Sequence, residues 1–211
     1  MLVAIFADIH GNLPALELFL SEIPDVDKYI CLGDVVNYGP WSNECVLLVD
    51  QLKDKVTLKG NHDEYFIQGK YGGASEVARA FFDVCFPSFL QSRIISDYVD
   101  SYRQGGYHFV HTLDNRIIFA DTDVQLREPT VLAHSHKQYI TEKSGFKLIN
   151  PGSVGQNRTY INVINYIIWD TAKDIFTEKK ILYNPDVVIN EMRVRKFPKI
   201  CIEYYSNKKR F

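Results

Sequence analysis

Short apolar runs that end in polar residues recur along this chain. Leu2 to Ala7 is continuously apolar, which predicts a strand buried on both faces. Asn12 then offers a helix N-cap, with Pro14 in the first turn and Leu13, Leu16 and Leu20 on one face. Tyr29 to Leu32 predicts a second strand, Asn43 to Lys53 a helix, and Val56 to Leu58 a third strand. Strand, helix, strand, helix, strand is the pattern of a mostly parallel sheet covered by helices.

The second half is richer in strands. A helical stretch from about Ser75 to Ser96 is broken by Pro87. Tyr107 to Val110, Arg116 to Ala120, Val131 to Ala133 and Lys147 to Ile149 each read as strands. Tyr160 to Trp169 and Ile175 to Leu182 read as a hairpin turning at Asp170 to Asp174. A helix over Pro185 to Arg195 and a basic tail follow. There is no internal repeat, low-complexity tract or linker, so residues 1–211 are expected to form a single domain in which two sheets pack together with helices outside.

Composition narrows the class. Hydrophobic residues make up 46%, enough for a sizeable core, and the net charge of −2 argues against broad nucleic-acid binding. A nucleotide or short oligonucleotide remains compatible. Cys31, Cys45, Cys85 and Cys201 are far apart and form no CxxC pair, so they are expected to be reduced, buried thiols of a cytosolic protein. No stretch is long and apolar enough to span a bilayer, and no membrane partner is expected. The cations at the C-terminal end, Arg193, Arg195, Lys196, Lys208, Lys209 and Arg210, read as a solvated face.

The residues that end the apolar runs carry the chemistry. Asp8 and His10 follow the first run, Gly33 and Asp34 the second, and Gly60, Asn61, His62 and Asp63 the third. His111 follows Tyr107 to Val110, and His134 and His136 follow Val131 to Ala133. Ligands bind at the C-terminal ends of strands in α/β sheets, and parallel strands bring those ends to one edge. In an extended chain residues two apart point to one side. Asp8 with His10, and His134 with His136, are therefore each expected to present two ligands to one centre. By the same rule His108 faces away from a His111 that faces the metals, and is structural. Five of the six histidines lie in these motifs. Oxygen and imidazole donors without thiolate suit Mn²⁺, Fe, Co²⁺, Ni²⁺ or Zn²⁺. Seven potential ligands exceed what one tetrahedral ion needs, so two divalent ions sharing a carboxylate are expected, with Mn²⁺ first.

The order Asp8-x-His10, Gly33-Asp34, Gly60-Asn61-His62-Asp63, His111, His134-x-His136 resembles the calcineurin-like metallophosphoesterase superfamily. Asp8 to Asn12, Gly33 to Pro40 and Asn150-Pro151-Gly152-Ser153-Val154-Gly155-Gln156 resemble its small bacterial and archaeal phosphodiesterase branch. The resemblance implies a four-layer α/β/β/α sandwich, two mixed β-sheets flanked by helices. It implies one metal on Asp8, His10, Asp34 and His136, and a second on Asp34, Asn61, His111 and His134, with Asp34 bridging. A hydroxide between the ions would attack phosphorus, and His62 would protonate the leaving group as general acid. The expected substrate is a small phosphodiester, with small phosphomonoesters next. A dinucleoside polyphosphate hydrolase, a protein phosphatase, or a protein-binding scaffold on the same fold are the alternatives.

Departures from the family pattern are few. Thr112 and Ala133 stand where glycines are usual. Asn37 and Tyr38 stand where protein phosphatases of the superfamily carry Asp and Arg, which removes a charged partner of His62 and a phosphate-gripping arginine. Three further residues are candidates. Asp63 either orients a histidine or serves a turn, Asn12 caps a helix and touches substrate, and Arg158 holds a phosphate oxygen.

Overall fold

The computed structural model describes all residues from Met1 to Phe211. Ten strands form two five-stranded sheets. The first holds β1 (Leu2–Phe6), β2 (Lys28–Cys31), β3 (Lys55–Thr57), β9 (Val163–Asp170) and β10 (Ile175–Leu182) in the order β10-β9-β1-β2-β3. Strands β1, β2 and β3 run parallel, and β9 lies antiparallel beside β1. The second sheet holds β4 (Ser101–Gln104), β5 (Tyr107–Val110), β6 (Thr130–Val131), β7 (Gln138–Lys143) and β8 (Phe146–Pro151) in the order β4-β5-β6-β8-β7. Here β5, β6 and β8 are parallel.

Strand β1 is apolar throughout because it is buried on both faces. Its Ala4 and Phe6 face the helices, whereas Val3 and Ile5 face the other sheet. Between the sheets lies a core of Ile30, Leu32, Phe109, Val131, Ile149, Ile167 and Trp169, among others. The helices α1 (Leu13–Glu22), α2 (Ser42–Asp50), α3 (Asn61–Gln68), α4 (Glu76–Cys85), α5 (Ser92–Ser96), α6 (Asp186–Val194) and α7 (Lys199–Ser206) gather on the first sheet's outer face. Segment 112–129 covers the far face of the second sheet through Ile118 and Leu126, a layer made of loop in place of helix. All four cysteines are free and buried, and no helix is long and apolar enough to cross a membrane.

Several elements differ from their sequence reading. Arg116 to Ala120 is not a strand: β6 takes the ladder beside β5, and only an isolated bridge links Leu113 to Arg116. The apolar residues there serve the cover, and the Tyr139 hydroxyl donates to the Ile118 carbonyl at 2.8 Å. Strands β4 and β7 and helices α3 and α7 have no counterpart in the reading. The stretch read as a basic tail thus contains a helix, with Cys201 and Tyr205 buried in the core, whereas Arg193, Arg195, Lys196, Lys209 and Arg210 are exposed, as a solvated face requires, and Lys208 is half-buried.

Candidate metal and catalytic site

Every parallel strand, in both sheets, aims its C-terminal end at one seam. Asp8 and His10 follow β1, Asp34 follows β2, Asn61 follows β3, His111 follows β5, and His134 and His136 follow β6. The loops are laced together. His10 N–H donates to the Asp34 carbonyl, and Ala133 N–H to the His111 carbonyl, both at 3.0 Å.

At Asp8, His10, Asp34, His134 and His136 the backbone has positive φ, between 51° and 65°. Such left-handed conformations cost non-glycine residues roughly 1–2 kcal/mol each. The ligand pairs are thus presented by tight turns, not by the extended backbone expected from their spacing. The outcome differs between them. Asp8 and His10 join one group with Asp34 and His136, whereas His134 falls in the other, with Asp34 and His111. In each group the ligand atoms all lie within 4.8 Å of one another. Asp34 belongs to both.

The donor set fits divalent cations. His10, His111 and His136 each spend Nδ1 on a main-chain carbonyl, of Val36 at 3.2 Å, Leu32 at 2.8 Å and Gln156 at 2.7 Å. A nitrogen that donates to a carbonyl carries the ring proton, so in the neutral rings Nε2 presents its lone pair. Nε2 of His10 and Nε2 of His136 face each other at 3.2 Å, and His136 Nε2 is 3.6 Å from Asp8 Oδ1. Two ligand atoms each about 2.1 Å from one ion lie about 3.0–3.4 Å apart. Both Asp8 oxygens, Asn61 Oδ1 and His111 Nε2 are buried without a hydrogen-bond partner. Acceptors gathered this closely repel one another, and a cation removes the repulsion.

The electrostatics agree. Burial pushes the Asp8 carboxyl well above the usual carboxylate range. Burial also lowers His10 to about 3 and His134 to about 4, keeping both rings in their neutral, ligating form. His111 is the exception: burial opposes its charging, but the Asp34 carboxylate, 3.3 Å from Nε2, pulls it up to about 10. That pull on a proton is equally a pull on a metal ion.

His62 sits in α3 immediately after Asn61, buried, with its main-chain N–H donating to Asp34 Oδ1 at 2.8 Å. Asn37 Nδ2 approaches both the Ala78 carbonyl, at 3.2 Å, and His62 Nδ1, at 2.8 Å. The carbonyl can only accept, so the amide donates to both, and His62 Nδ1 is an acceptor. The ring proton of neutral His62 therefore resides on Nε2. Asn37 orients the histidine without charge. The Tyr38 ring packs against His10 at 4.9 Å and His62 at 5.3 Å.

The remaining candidates separate. Asp63 touches no histidine. Its carboxylate accepts from the N–H groups of Asp34 at 2.8 Å, Gly60 at 2.9 Å and Val35 at 3.0 Å, so it holds the bridging aspartate's loop against the start of α3. Asn12 caps α1 through Oδ1 and spends its amide hydrogens on the Gly155 carbonyl and the Tyr183 hydroxyl, leaving none for a substrate. Arg158 is exposed, and its charge is felt at Asp8, His62, His134 and His136. His108 pairs with Glu128 at 3.3 Å, away from the site.

Sequence reasoning missed the loop from Asn150 to Gln156 as a brace. Asn150 Nδ2 donates to the Ala133 carbonyl at 2.8 Å and to Ser135 Oγ at 3.0 Å, and Ser153 Oγ donates to the Asp8 carbonyl at 2.7 Å. It also missed Gln156, whose carbonyl holds His136. The Asn-Pro-Gly-Ser pattern was the available signal.

Fold and site together define a metal-binding α/β sandwich whose ligands straddle two sheets. The chain belongs to the calcineurin-like phosphoesterase family, whose model matches residues 1–189. Uncharacterized protein MJ0912 of Methanocaldococcus jannaschii is 32% identical, over 80% of this chain and 82% of that one. A metallophosphoesterase from Sphaerobacter thermophilus superposes with a TM-score of 0.79 at 25% identity, over 98% of each chain. A local match of 86 residues, 40% identical, links 37% of this chain to 28% of the serine/threonine-protein phosphatase 4 catalytic subunit of Saccharomyces cerevisiae.

Proposed function

We propose that this phosphoester hydrolase acts on small phosphodiesters with two divalent ions, Mn²⁺ foremost, that share Asp34. The observation that carries the reading is the pair of acceptor groups meeting at one carboxylate. Asp8, His10, Asp34 and His136 would hold one ion, and Asp34, Asn61, His111 and His134 the other. Such ions supply positive charge for a phosphate and lower the pKa of water.

The chain's own residues do the rest. Asp8 and Asp34 carry −2 against the +4 of two ions, which leaves net attraction for a phosphate. His62, held through Nδ1 by Asn37, donates to the departing oxygen from Nε2. Arg158 adds positive charge that is felt at Asp8, His62, His134 and His136. Tyr38 puts a ring where the family's phosphatases carry an arginine, and one cation fewer suits the single charge of a diester better than the double charge of a phosphoserine. The local likeness to a protein phosphatase favours phosphoprotein as the second reading. A binding scaffold is disfavoured because the ligand set and His62 are intact. Buried, unpaired thiols accord with a reducing cytosol.

The test compares bis-nitrophenyl phosphate with a phosphoserine peptide under matched Mn²⁺. Higher kcat/KM on the diester is expected. A higher value on the peptide would replace this reading with the second, and no metal-stimulated hydrolysis of either would remove both.

A further inference from the structure

A polar cavity of about 800 Å³ opens beside the metal-seeking cluster, with Asn61 and His111 in its wall. It lies between the start of α3 and the turn that follows β5, so both sheets contribute to it. Asn61, Glu64 and Tyr65 line it from α3, three and four residues apart and therefore on one helix face. Thr112 and Asn115 line it from the turn, which the Thr112 hydroxyl closes by donating to the Arg116 carbonyl at 2.7 Å. Lys59 and Asp100 also line it, brought side by side by the bridge between Leu58 and Val99.

Tyr65 ties the cavity to the proton donor. Its ring lies 5.7 Å from His62 and 5.0 Å from Tyr71, edge to face in both cases. A Cβ on Gly72 would fall 2.9 Å from that ring, so the glycine lets the chain close on it. The ring is thus held in place while it lines the cavity. The alcohol that takes the Nε2 proton of His62 departs beside this wall.

The lining indicates what that alcohol is. Ligand pockets of this size are ordinarily walled by apolar side chains. Here Tyr65 is the single hydrophobic residue. The one cation, Lys59, is shared by Glu64 Oε2 at 3.7 Å and Asp100 Oδ1 at 3.4 Å. That triad carries a net −1, which repels a further phosphate. A neutral group rich in hydroxyls instead meets donors and acceptors without burying an unpaired charge.

We infer that this cavity receives the leaving alcohol of the substrate, and that the alcohol is a neutral sugar. The inference rests on the phosphoesterase reading above and deepens it. A water oxygen bonds to phosphorus as the bond to the sugar oxygen breaks. That oxygen takes the His62 proton, and a proton from the water restores it. The Tyr65 hydroxyl and the Asn115 amide bind the sugar's other hydroxyls.

Three methyl phosphodiesters of the 6-hydroxyl of methyl glucoside test it, read by release of the sugar. The first has its other hydroxyls free, the second has them capped as methyl ethers, and the third carries a phosphate on one of them. Capping leaves the reacting oxygen nearly as basic, and the cavity has room for the added methyl groups. The free sugar ester should be preferred over each of the others by roughly tenfold in kcat/KM. Tyr65→Phe and Asn115→Ala should each lower the preference over the capped ester severalfold. Glu64→Gln combined with Asp100→Asn frees Lys59, and should raise the phosphorylated ester relative to the free one by roughly tenfold. Equal rates on free and capped esters, or preferences that all these variants leave intact, would overturn the cavity assignment and leave the phosphoesterase reading standing. If no ester is cleaved, that reading fails, and calorimetric binding of the same esters to the full-length protein with Mn²⁺ decides. Tighter binding of the free sugar ester, weakened in Tyr65→Phe, upholds the cavity assignment, and any other result overturns it.

Discussion

Asp34 concentrates more of the site's geometry than any other side chain. It belongs to both donor groups, accepts from His62 N–H, and has its own N–H held by Asp63. Asp34→Asn keeps the shape and removes the charge. Metal analysis of the purified variant should show both ions depleted, more than for any other single ligand change, and equal occupancy in variant and parent would dismiss the bridge. His62 should behave differently. His62→Asn should leave both ions bound and cut turnover by ~10² to 10⁴-fold, the usual worth of general-acid help. The loss should be larger on a nucleotide diester than on a nitrophenyl ester, because nitrophenolate departs without needing a proton. Equal losses on both, or a lost ion, would mean that His62 only positions the site. At this scale the ligands were legible because polar residues stop apolar runs in a fixed order. The brace was not, because Asn150, Ser153 and Gln156 look like ordinary loop residues until the fold sets them against Ala133, Asp8 and His136.

Elements set where those residues go, and the tightest constraint is the junction of β3 and α3. A Cβ on Gly60 would run into the Asp34 carboxylate and its main chain, and Gly60 N–H is also spent on Asp63. Gly60→Ala should therefore fold with Asp34 displaced. We expect circular dichroism close to the parent and metal content well below it, and normal metal content would show that the junction yields. The strands that carry ligands were readable from their apolar runs, since each is buried. Strand β7 was not: it runs at the sheet's edge, with Ile140 exposed and only Tyr139 buried. Helix α3 was hidden because its first residues are also the metal-seeking ones, and its mean composition is polar. The false strand at Arg116 to Ala120 shows the converse, since apolar residues that cover a sheet mimic those that build one.

At the scale of the whole molecule, the ligands come from both sheets. Asp8, His10, Asp34 and Asn61 extend from one and His111, His134 and His136 from the other. Ions at the seam would clasp the sheets. An ion present at about a hundred times its Kd adds about 2.7 kcal/mol of stability. For a chain of this size that corresponds to a fall in Tm of roughly 5–10 °C on chelation. Hydrogen exchange should speed most in β5 and β6, whose ends carry His111, His134 and His136. An unchanged Tm would mean that sheet packing alone holds the seam.

The pairing of β1 with β9 has a consequence for how this molecule is made. Leu2 pairs with Asp170 and Ile5 with Ile167, across most of the chain. A ribosome delivers the last ligand, His136, well before that partner, so the emerging chain holds every metal-seeking group while its central strand lacks one neighbour. Contacts this remote in sequence form slowly. An ion that arrives early therefore meets those histidines and carboxylates before the β1–β9 ladder can form.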